Sequence, residues 1–145
     1  MNLHAEASEV IRRFATTAAE DDQRQLAARF EAFLAEHADA AYRDCRPGHL
    51  SASALVLSAG GDQVLLTLHA KERRWLQLGG HCEPTDATLA GAALREATEE
   101  SGIEGLTLLP GPLRLDRHRV GCHGGSWHYD VEYVAFAPAG AIALR

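Results

Sequence analysis

The stretch that decides the fold runs from Gly79 to Ile103 and reads GGHCEPTDATLAGAALREATEESGI. It opens with two glycines, continues through a loop in which Asp86 offers a helix N-cap, and then becomes rich in Ala and Leu. Gly102 stands where a residue in the left-handed conformation would end a helix. The pattern predicts a helix from about Thr88 to Ser101.

Three glutamates cluster near the end of this predicted helix. At about 100° per residue, Glu96 and Glu100 lie about 40° apart around the helix axis, and Glu99 flanks them. Leu89 and Ala93 continue the same stripe toward the N-terminus, so the acids extend a face that elsewhere packs on the core. Clustered carboxylates raise one another's pKa unless a cation neutralises them, and oxygen ligands favour Mg²⁺ or Mn²⁺. The helix is therefore predicted to carry a divalent metal site.

The stretch resembles a Nudix box. That family pattern is a glycine, five residues, a glutamate, seven residues, Arg-Glu, an aliphatic, any residue, Glu-Glu, any residue, a glycine and an aliphatic. The chain follows it from Gly80 to Ile103, with Asp86 for the first glutamate and one extra residue before Arg95. The insertion falls in the loop, where it costs least, and the only other departure is the small Ala97. Asp86 is expected to be an N-cap rather than a ligand.

The resemblance implies a role for each matching residue. The metal ligands would be the carbonyl of Gly79 and the carboxylates of Glu96, Glu99 and Glu100. Glu99 and Glu100 would also act in catalysis, since one glutamate positions or deprotonates the attacking water. Arg95 would orient the carboxylates through charge-assisted hydrogen bonds. The alternative is ordinary surface charge on a helix.

Further candidates lie outside this stretch. His128, Asp130 and Glu132 share one face of a predicted strand. Nudix enzymes often draw a further acid from outside the box, so Asp130 or Glu132 is a candidate auxiliary acid. The alternative is that this strand face is polar and solvated. Trp75 and Trp127 are candidates for stacking on a base, against the alternative that each is a buried aromatic.

The histidines and cysteines offer a rival site. His81-Cys82 and Cys122-His123 would together supply the ligands of a Cys₂His₂ zinc site. Adjacent pairs lack the two-to-four-residue spacing usual in structural zinc sites, so the carboxylate site is favoured. Together with Cys45 these are three cysteines in no disulfide framework, which favours a reduced, cytoplasmic setting.

Composition limits the classes of function. The chain has 145 residues and 46% hydrophobic content, enough for a single domain, 1–145, with a sizeable core. A formal net charge of -6 disfavours non-specific binding to nucleic acid and offers no basic surface to a membrane. There is no signal-peptide pattern and no apolar run long enough to cross a bilayer. The chain is expected to be soluble and intracellular, with no membrane partner.

Residues 1–46 are predicted to form an N-terminal helical extension. Residues 2–19, and then Asp22 to about Tyr42, are rich in good helix formers. An apolar stripe recurs on the second helix at spacings of three and four. Its members are Leu26, Phe30, Phe33, Leu34 and His37. The stripe is expected to pack on the rest of the domain, and a dimer contact is the alternative.

Residues 50–136 are predicted to form the Nudix core. Strand patterns cover residues 51–57, 63–68, 75–78, 106–109, 113–120 and 126–136, with turns at 59–62, 71–74, 110–112 and 121–125. Together they predict an α/β (α+β) fold in which a Nudix-like mixed sheet is sandwiched by helices. The segment after residue 136 is short for the usual further strand and helix. Either the N-terminal helices or a second subunit of a homodimer is therefore expected to cover the exposed sheet face.

The function implied by the resemblance is metal-dependent hydrolysis of a diphosphate linkage in a nucleoside diphosphate derivative. Mg²⁺ or Mn²⁺ on the glutamates would polarise the phosphoryl oxygens and lower the pKa of a bound water. Nothing in the sequence selects among ADP-ribose, a dinucleotide, a nucleoside triphosphate and a capped nucleic acid. The alternative is a non-catalytic Nudix-fold module that binds a nucleotide and regulates a partner.

Overall fold

A computed structural model of the chain describes residues 1–69, 73–121 and 125–143. Residues 71 and 72 of the predicted turn at 71–74, and residues 122–124 of the predicted turn at 121–125, lie outside these residues. Within them, helices and strands follow one another in the order α1 (Leu3–Thr17), α2 (Asp21–Glu36), β1 (Gly48–Leu57), β2 (Val64–Leu65), β3 (Thr67–His69), β4 (Arg74–Leu76), β5 (Leu78–His81), α3 (Leu89–Ser101), β6 (Thr107–Leu108), β7 (Arg114–Val120) and β8 (Ser126–Phe136).

The two longest strands, β1 and β8, run parallel at the centre of the main sheet, with Gly48 beside Trp127 and Leu57 beside Phe136. β5 and β2 pair antiparallel with successive parts of β1, and β7 and β6 pair antiparallel with successive parts of β8. β3 and β4 form a separate two-stranded sheet. The predicted α+β fold with a mixed sheet is confirmed.

Alternation along the central strands gives the main sheet two different faces. Leu50 and Ala52 of β1 point to one side, where they join Tyr129 and Val131 of β8 in a buried apolar cluster. Buried side chains of α1, α2 and α3 belong to the same cluster. The described helices thus pack on one face of the sheet rather than enclosing it from both. The opposite side of β1 and β8 carries polar side chains along the first half of each strand.

The N-terminal helices are part of this core. Phe33 of α2 stacks on Tyr129 with ring centroids 4.1 Å apart, and Phe30 meets the same ring edge-on at 5.1 Å. Gln23 exchanges two hydrogen bonds with the backbone of Leu115 in β7, at 2.7 and 3.0 Å. The predicted packing of the α2 stripe on the domain is confirmed.

The helices of the described residues are short. The longest, α2, has 16 residues and ends at Glu36, earlier than the predicted end near Tyr42. Beyond it the chain turns, and the Leu50 amide at the start of the sheet donates to the Ala40 carbonyl at 2.8 Å. None of these helices has the length and apolar character needed to span a bilayer.

Changing Phe30 to Ala should destabilise the whole domain. The Phe30 side chain is fully buried against Tyr129, and removing a buried Phe side chain costs about 3–5 kcal/mol of unfolding free energy. Urea unfolding followed by circular dichroism measures the loss. Arg29→Ala, at an exposed neighbouring position on α2, is the matched control and should cost less than about 0.5 kcal/mol. Equal stability of the two variants would show that α2 is not part of the folded core.

Candidate functional site

Helix α3 presents the three glutamates close to where the sequence predicts them. The helix begins after Thr88, whose side chain accepts a hydrogen bond from the Gly91 amide at 2.9 Å. It ends at Gly102, which adopts the left-handed conformation with φ of 69°. The prediction that Asp86 is the N-cap is wrong, because Thr88 stands directly before the first helical residue and Asp86 is held by a side chain of the helix.

Two glycines of β5 allow the carboxylates to approach the sheet. A Cβ atom on Gly80 would lie 2.8 to 2.9 Å from the carboxylate of Glu96, and one on Gly79 would lie 2.4 Å from Cβ of Ser53. The amide of Gly79 also donates to Oε1 of Glu100 at 3.3 Å. These positions therefore require glycine for space, since a side chain at either would push the helix or β1 away.

Arg95 contacts most of the acids around the site. Its guanidinium donates twice to Asp86, at 2.9 Å in each case. It also donates to Glu96 at 3.1 Å, to Glu99 at 3.3 Å and to the carbonyl of His81 at 3.2 Å. One side chain thus holds the loop, the end of β5 and the acidic turn of α3 in fixed positions relative to one another.

The site concentrates negative charge. Glu100 is exposed overall, yet its carboxylate lies against β5, and partial burial followed by the charge of Glu96 raises its pKa to about 7. The hydrogen bond from the Gly79 amide opposes this shift. Asp86 is the opposite case, because the hydrogen bonds from Arg95 lower its pKa. The single positive charge of Arg95 is shared by the carboxylates of Asp86, Glu96 and Glu99.

The donor set fits a hard divalent cation. Glu96, Glu99 and Glu100 supply only oxygen atoms, which Mg²⁺ and Mn²⁺ prefer. Glu96 packs against Gly80, and its side chain is 17% exposed. The side chain of Glu99 is 59% exposed. A cation among these oxygens would relieve the repulsion that raises the pKa of Glu100.

Asp130 and Glu132 lie on the polar face of the main sheet, and both are buried, at 7% and 8% exposure. The alternative of a solvated strand face is therefore wrong. Ser51 and Ser53 donate to Asp130 at 3.0 and 2.7 Å, and Arg114 donates to Glu132 at 3.2 Å. Burial, followed by the negative charge of Asp130, raises the pKa of Glu132 to about 7.

Neighbouring strands connect the box glycines to these acids. Gly79 lies beside Ser53, and Ser53 lies beside Glu132, so two strand spacings separate the backbones of Gly79 and Glu132 by about 10 Å. Gln77 donates to Ser53 at 2.7 Å, and Ser53 donates onward to Asp130. Among the described residues, no hydrogen bond or ion pair joins the two β8 acids to the carboxylates of α3. The structure brings the α3 glutamates together and leaves the β8 acids on an adjoining surface.

The two candidate tryptophans differ in exposure. Trp75 of β4 is 63% exposed and pairs with Leu68 of β3, which is also exposed. The buried-aromatic alternative is therefore wrong for Trp75. Trp127 is half-buried, with the guanidinium carbons of Arg117 and Arg119 lying 3.6 and 5.2 Å from its ring centroid. Of the two indoles, that of Trp75 is the one open to a ligand.

The rival zinc site is not supported by the positions of His81 and Cys82. Cys82 is buried in the apolar cluster beneath the helices, whereas the His81 ring contacts His128 on the polar face. Burial raises the pKa of the Cys82 thiol to about 12, so the thiolate that would bind metal is disfavoured. The other two proposed ligands, Cys122 and His123, lie outside the described residues.

The polar face also holds a cluster that sequence reasoning missed. The rings of His49, His81 and His128 lie against one another, with centroids 4.6 to 5.1 Å apart. Burial is the main cause that lowers the pKa of His128, to about 3, and the pKa of His81. The alternation of His49, Ser51 and Ser53 with apolar residues was a visible signal of a polar face. Which residues of β5 and β8 lie beside this face depends on the strand register, and the sequence pattern does not give the register.

Asp86→Ala should destabilise the protein more than Glu83→Ala. The Asp86 side chain is 6% exposed, and the loss of its hydrogen bonds to a charged partner should cost about 1.5–3 kcal/mol. Glu83, 55% exposed and 3.5 Å from Arg95, is the matched control and should cost less than about 1 kcal/mol.

The same bridge predicts a dependence on pH. Because the folded-state pKa of Asp86 is lowered from 3.8, its stabilisation is present above that value and is lost as the pH falls through the lowered pKa. Urea unfolding at neutral and acid pH measures both effects. Equal losses from Asp86→Ala and Glu83→Ala would contradict the proposed importance of the bridge.

Known proteins share this sequence pattern and architecture. The family profile described as the NUDIX domain matches residues 47–140. A hydrolase of the NUDIX family from Clostridium perfringens is 27% identical, the match covering 66% of this chain and 76% of that chain with a TM-score of 0.52. A C. elegans Ap4A hydrolase, in a binary complex, is 20% identical over 66% of this chain and 70% of that chain, and its TM-score of 0.53 shows a shared fold. No curated protein gives a significant sequence match.

The family match extends over more than half of the chain. It includes all of β1, the glycines of β5, the acidic helix α3 and the buried acids of β8. The helix carries its Arg-Glu and Glu-Glu pairs in the order that the family pattern requires. The chain therefore belongs to the Nudix family, as a Nudix-type pyrophosphohydrolase.

Proposed function

We propose that this enzyme hydrolyses a diphosphate linkage in a nucleoside diphosphate derivative, and that it requires Mg²⁺ or Mn²⁺. The observation that carries the proposal is the convergence of Glu96, Glu99 and Glu100 beside the glycines of β5. When bound there, a divalent cation supplies charge neutralisation for the phosphates, polarisation of their oxygens and a lowered pKa for a coordinated water.

The chain's own groups divide the work of holding the ion. Glu96 and Glu100 approach the backbone of β5 from α3, so their carboxylates and the carbonyl of Gly79 are the proposed ligands. Glu99, whose side chain is 59% exposed, is the proposed third ligand. Either Glu99 or Glu100 is assigned the task of orienting or deprotonating the attacking water.

Arg95 is proposed to be a positioning residue rather than a phosphate ligand. A guanidinium has five N–H donors. Here five hydrogen bonds run to the side chains of Asp86, Glu96 and Glu99 and to the carbonyl of His81. Contact with a phosphate would have to break one of these bonds, so Arg95 contributes by fixing the carboxylates.

Glu132 is the proposed auxiliary acid from outside the box. Its pKa of about 7 suits a group that accepts and donates a proton near neutral pH. Asp130 is more enclosed, accepts hydrogen bonds from Ser51 and Ser53, and shares a hydrogen bond with Glu132. We therefore assign Asp130 to tuning Glu132 rather than to direct contact with substrate.

Trp75 is the proposed platform for the nucleoside base. It is 63% exposed on β4, four residues before Gly79, and we propose that a base stacked on it directs the phosphates toward the carboxylates. Stacking of a base on an aromatic side chain contributes about 1–3 kcal/mol. Trp127 is not assigned this role because arginines lie over its ring.

Substrate class and metal dependence can be tested together. The metal-free enzyme is assayed against ADP-ribose, dinucleoside polyphosphates, nucleoside triphosphates and capped RNA, with Mg²⁺ or Mn²⁺ added, and the products are separated by chromatography. We expect cleavage of a diphosphate linkage in at least one substrate only when metal is present. Nucleotide binding without any product would instead support the non-catalytic regulatory module.

Changing Glu100 to Gln should lower turnover of the best substrate by at least about 100-fold. Changing residues that only hydrogen-bond to metal ligands already lowers metal affinity or activity by about 10–100-fold. The substitution removes an anionic ligand and preserves side-chain shape, so the unfolding transition should persist. Glu104→Gln is the matched control, because Glu104 is exposed and lies just beyond the end of α3. Wild-type turnover by Glu100→Gln at saturating metal would remove the proposed site.

Changing Glu132 to Gln should lower kcat by about 100-fold or more with little change in nucleotide affinity, as expected for a general acid or base. Arg114→Gln is the control, because it breaks the same 3.2 Å ion pair and leaves the carboxylate in place. Turnover should therefore survive in Arg114→Gln. If Glu132→Gln and Asp130→Asn both retain wild-type kinetics, the two acids have only a structural role.

A further inference from the structure

A compact group of three histidines, here called the histidine cluster, lies on the polar face of the main sheet. His49 comes from β1, His81 from β5 and His128 from β8. One ligand nitrogen from each ring lies within 4.8 Å of the other two, and the Nε2 atoms of His81 and His128 are 3.2 Å apart. His49 is fully buried, and the other two rings are half-buried at the rim.

Strand register brings these rings together. His49 and His128 are direct neighbours in the parallel pairing of β1 with β8. His81 is paired with Ser51, two residues further along β1. Because the serine side chain is small, the imidazole of His81 extends across it to reach His128. The arrangement depends on the pairing of three strands, β1, β5 and β8, that are distant in sequence.

We propose that His49, His81 and His128 form a second metal site, which binds a borderline transition-metal ion such as Zn²⁺ and is separate from the carboxylate site on α3. Imidazole nitrogen suits Zn²⁺, Co²⁺, Ni²⁺ and Cu²⁺, whereas Mg²⁺ prefers oxygen. The two sites therefore differ in chemical selectivity as well as in position.

The geometry is close to what such an ion requires. Two nitrogens bound to Zn²⁺ at about 2.1 Å in a tetrahedral site lie about 3.4 Å apart. The 3.2 Å separation of the His81 and His128 Nε2 atoms is already near that value. All three ligand nitrogens lie within 4.8 Å of one another, so we expect small side-chain rotations of the two rim rings to bring them to bonding distance. Three histidines leave a fourth position for water or another ligand.

The surrounding charges are mixed. Arg43 places a positive charge near His81 and His128 that opposes a cation. The buried acids Asp130 and Glu132 lie on the same face, two and four residues further along β8 from His128, and their negative charge favours a cation. A divalent ion at the histidine cluster would add positive charge beside these acids.

Metal bound there would join β1, β5 and β8 to one another. Since the cluster exists only when the strands are paired, binding should stabilise the folded state in proportion to the free metal concentration. It would also fasten the end of β5, the strand that carries Gly79 and Gly80. The histidine cluster is thus proposed to be a cross-link that supports the box glycines from the opposite face.

The test is a cobalt titration of the full-length enzyme freed of metal by chelation. Excess Mg²⁺ is present throughout to occupy the carboxylate site. We expect one equivalent of Co²⁺ to bind with the intense visible absorption of a four-coordinate ion, to raise the melting temperature, and to be displaced by Zn²⁺. Absence of this absorption, or of any rise in melting temperature, would overturn the proposal.

Variants identify the ligands. His81→Gln and His128→Gln should each weaken cobalt binding by more than about 100-fold. Loss of a direct ligand exceeds the roughly 10–100-fold cost of changing a residue that only orients a ligand. His118→Gln is the matched control, since His118 lies on the same face and its ring contacts His128 without belonging to the cluster. Glu100→Gln should retain the cobalt spectrum. Retention of the spectrum in both cluster variants, or its loss in either control, would overturn the assignment.

A measurement on the unaltered enzyme covers the case in which the glutamine variants fail to fold. In Mg²⁺ buffer, Zn²⁺ should shift the ring resonances of three of the eight histidines in a nitrogen-correlated NMR spectrum, with a sharp end point at one equivalent. A titration that shifts none of the ring resonances would contradict the proposed site.

Discussion

The parallel pairing of β1 with β8 is the constraint on which the rest of the molecule depends. Side chains alternate along both strands, so one register places the apolar cluster around Leu50, Ala52, Tyr129 and Val131 on the helix side. The same register places His49, Ser51 and Ser53 of β1 beside His128, Asp130 and Glu132 of β8 on the other side. A slip of one residue would put Asp130 into the apolar cluster and Tyr129 onto the polar face. The buried aromatic contacts of α2 with Tyr129 and the hydrogen bonds of Ser51 and Ser53 to Asp130 select the same register.

The sequence predicts best those features whose signals are local. Helix α3 with its Gly102 cap, the strand over 126–136 and the hairpin between β1 and β2 lie close to their predicted positions, because caps, alternation and turn residues act within a few residues. Asp86 was misassigned for the same reason. Asp86 and Thr88 are both common N-cap residues, and Asp is the more favoured type. The side chain that binds Asp86 instead, that of Arg95, is nine residues away in sequence.

Features that depend on register were beyond the reach of the sequence pattern. The strand alternation of Asp130 and Glu132 was predictable, but their burial was not, because it requires serines of β1 and an arginine of β7 on the same face. The histidine cluster was missed because its three members are separated by more than thirty residues along the chain. The family resemblance covers the α3 carboxylates and carries no information on this cluster.

Strand β5 lies between the two proposed metal sites. Along its four residues, Leu78 is buried in the apolar core and Gly80 leaves space for the carboxylate of Glu96. The side chain of His81 lies on the polar face. Gly79 lies at the boundary, with its amide on Glu100. The proposed oxygen ligands thus lie on one side of the strand and the proposed nitrogen ligands on the other. Because the same backbone carries both sets, a change that displaces β5 from β1 must disturb both, whereas a change confined to a side chain on α3 leaves the polar face intact.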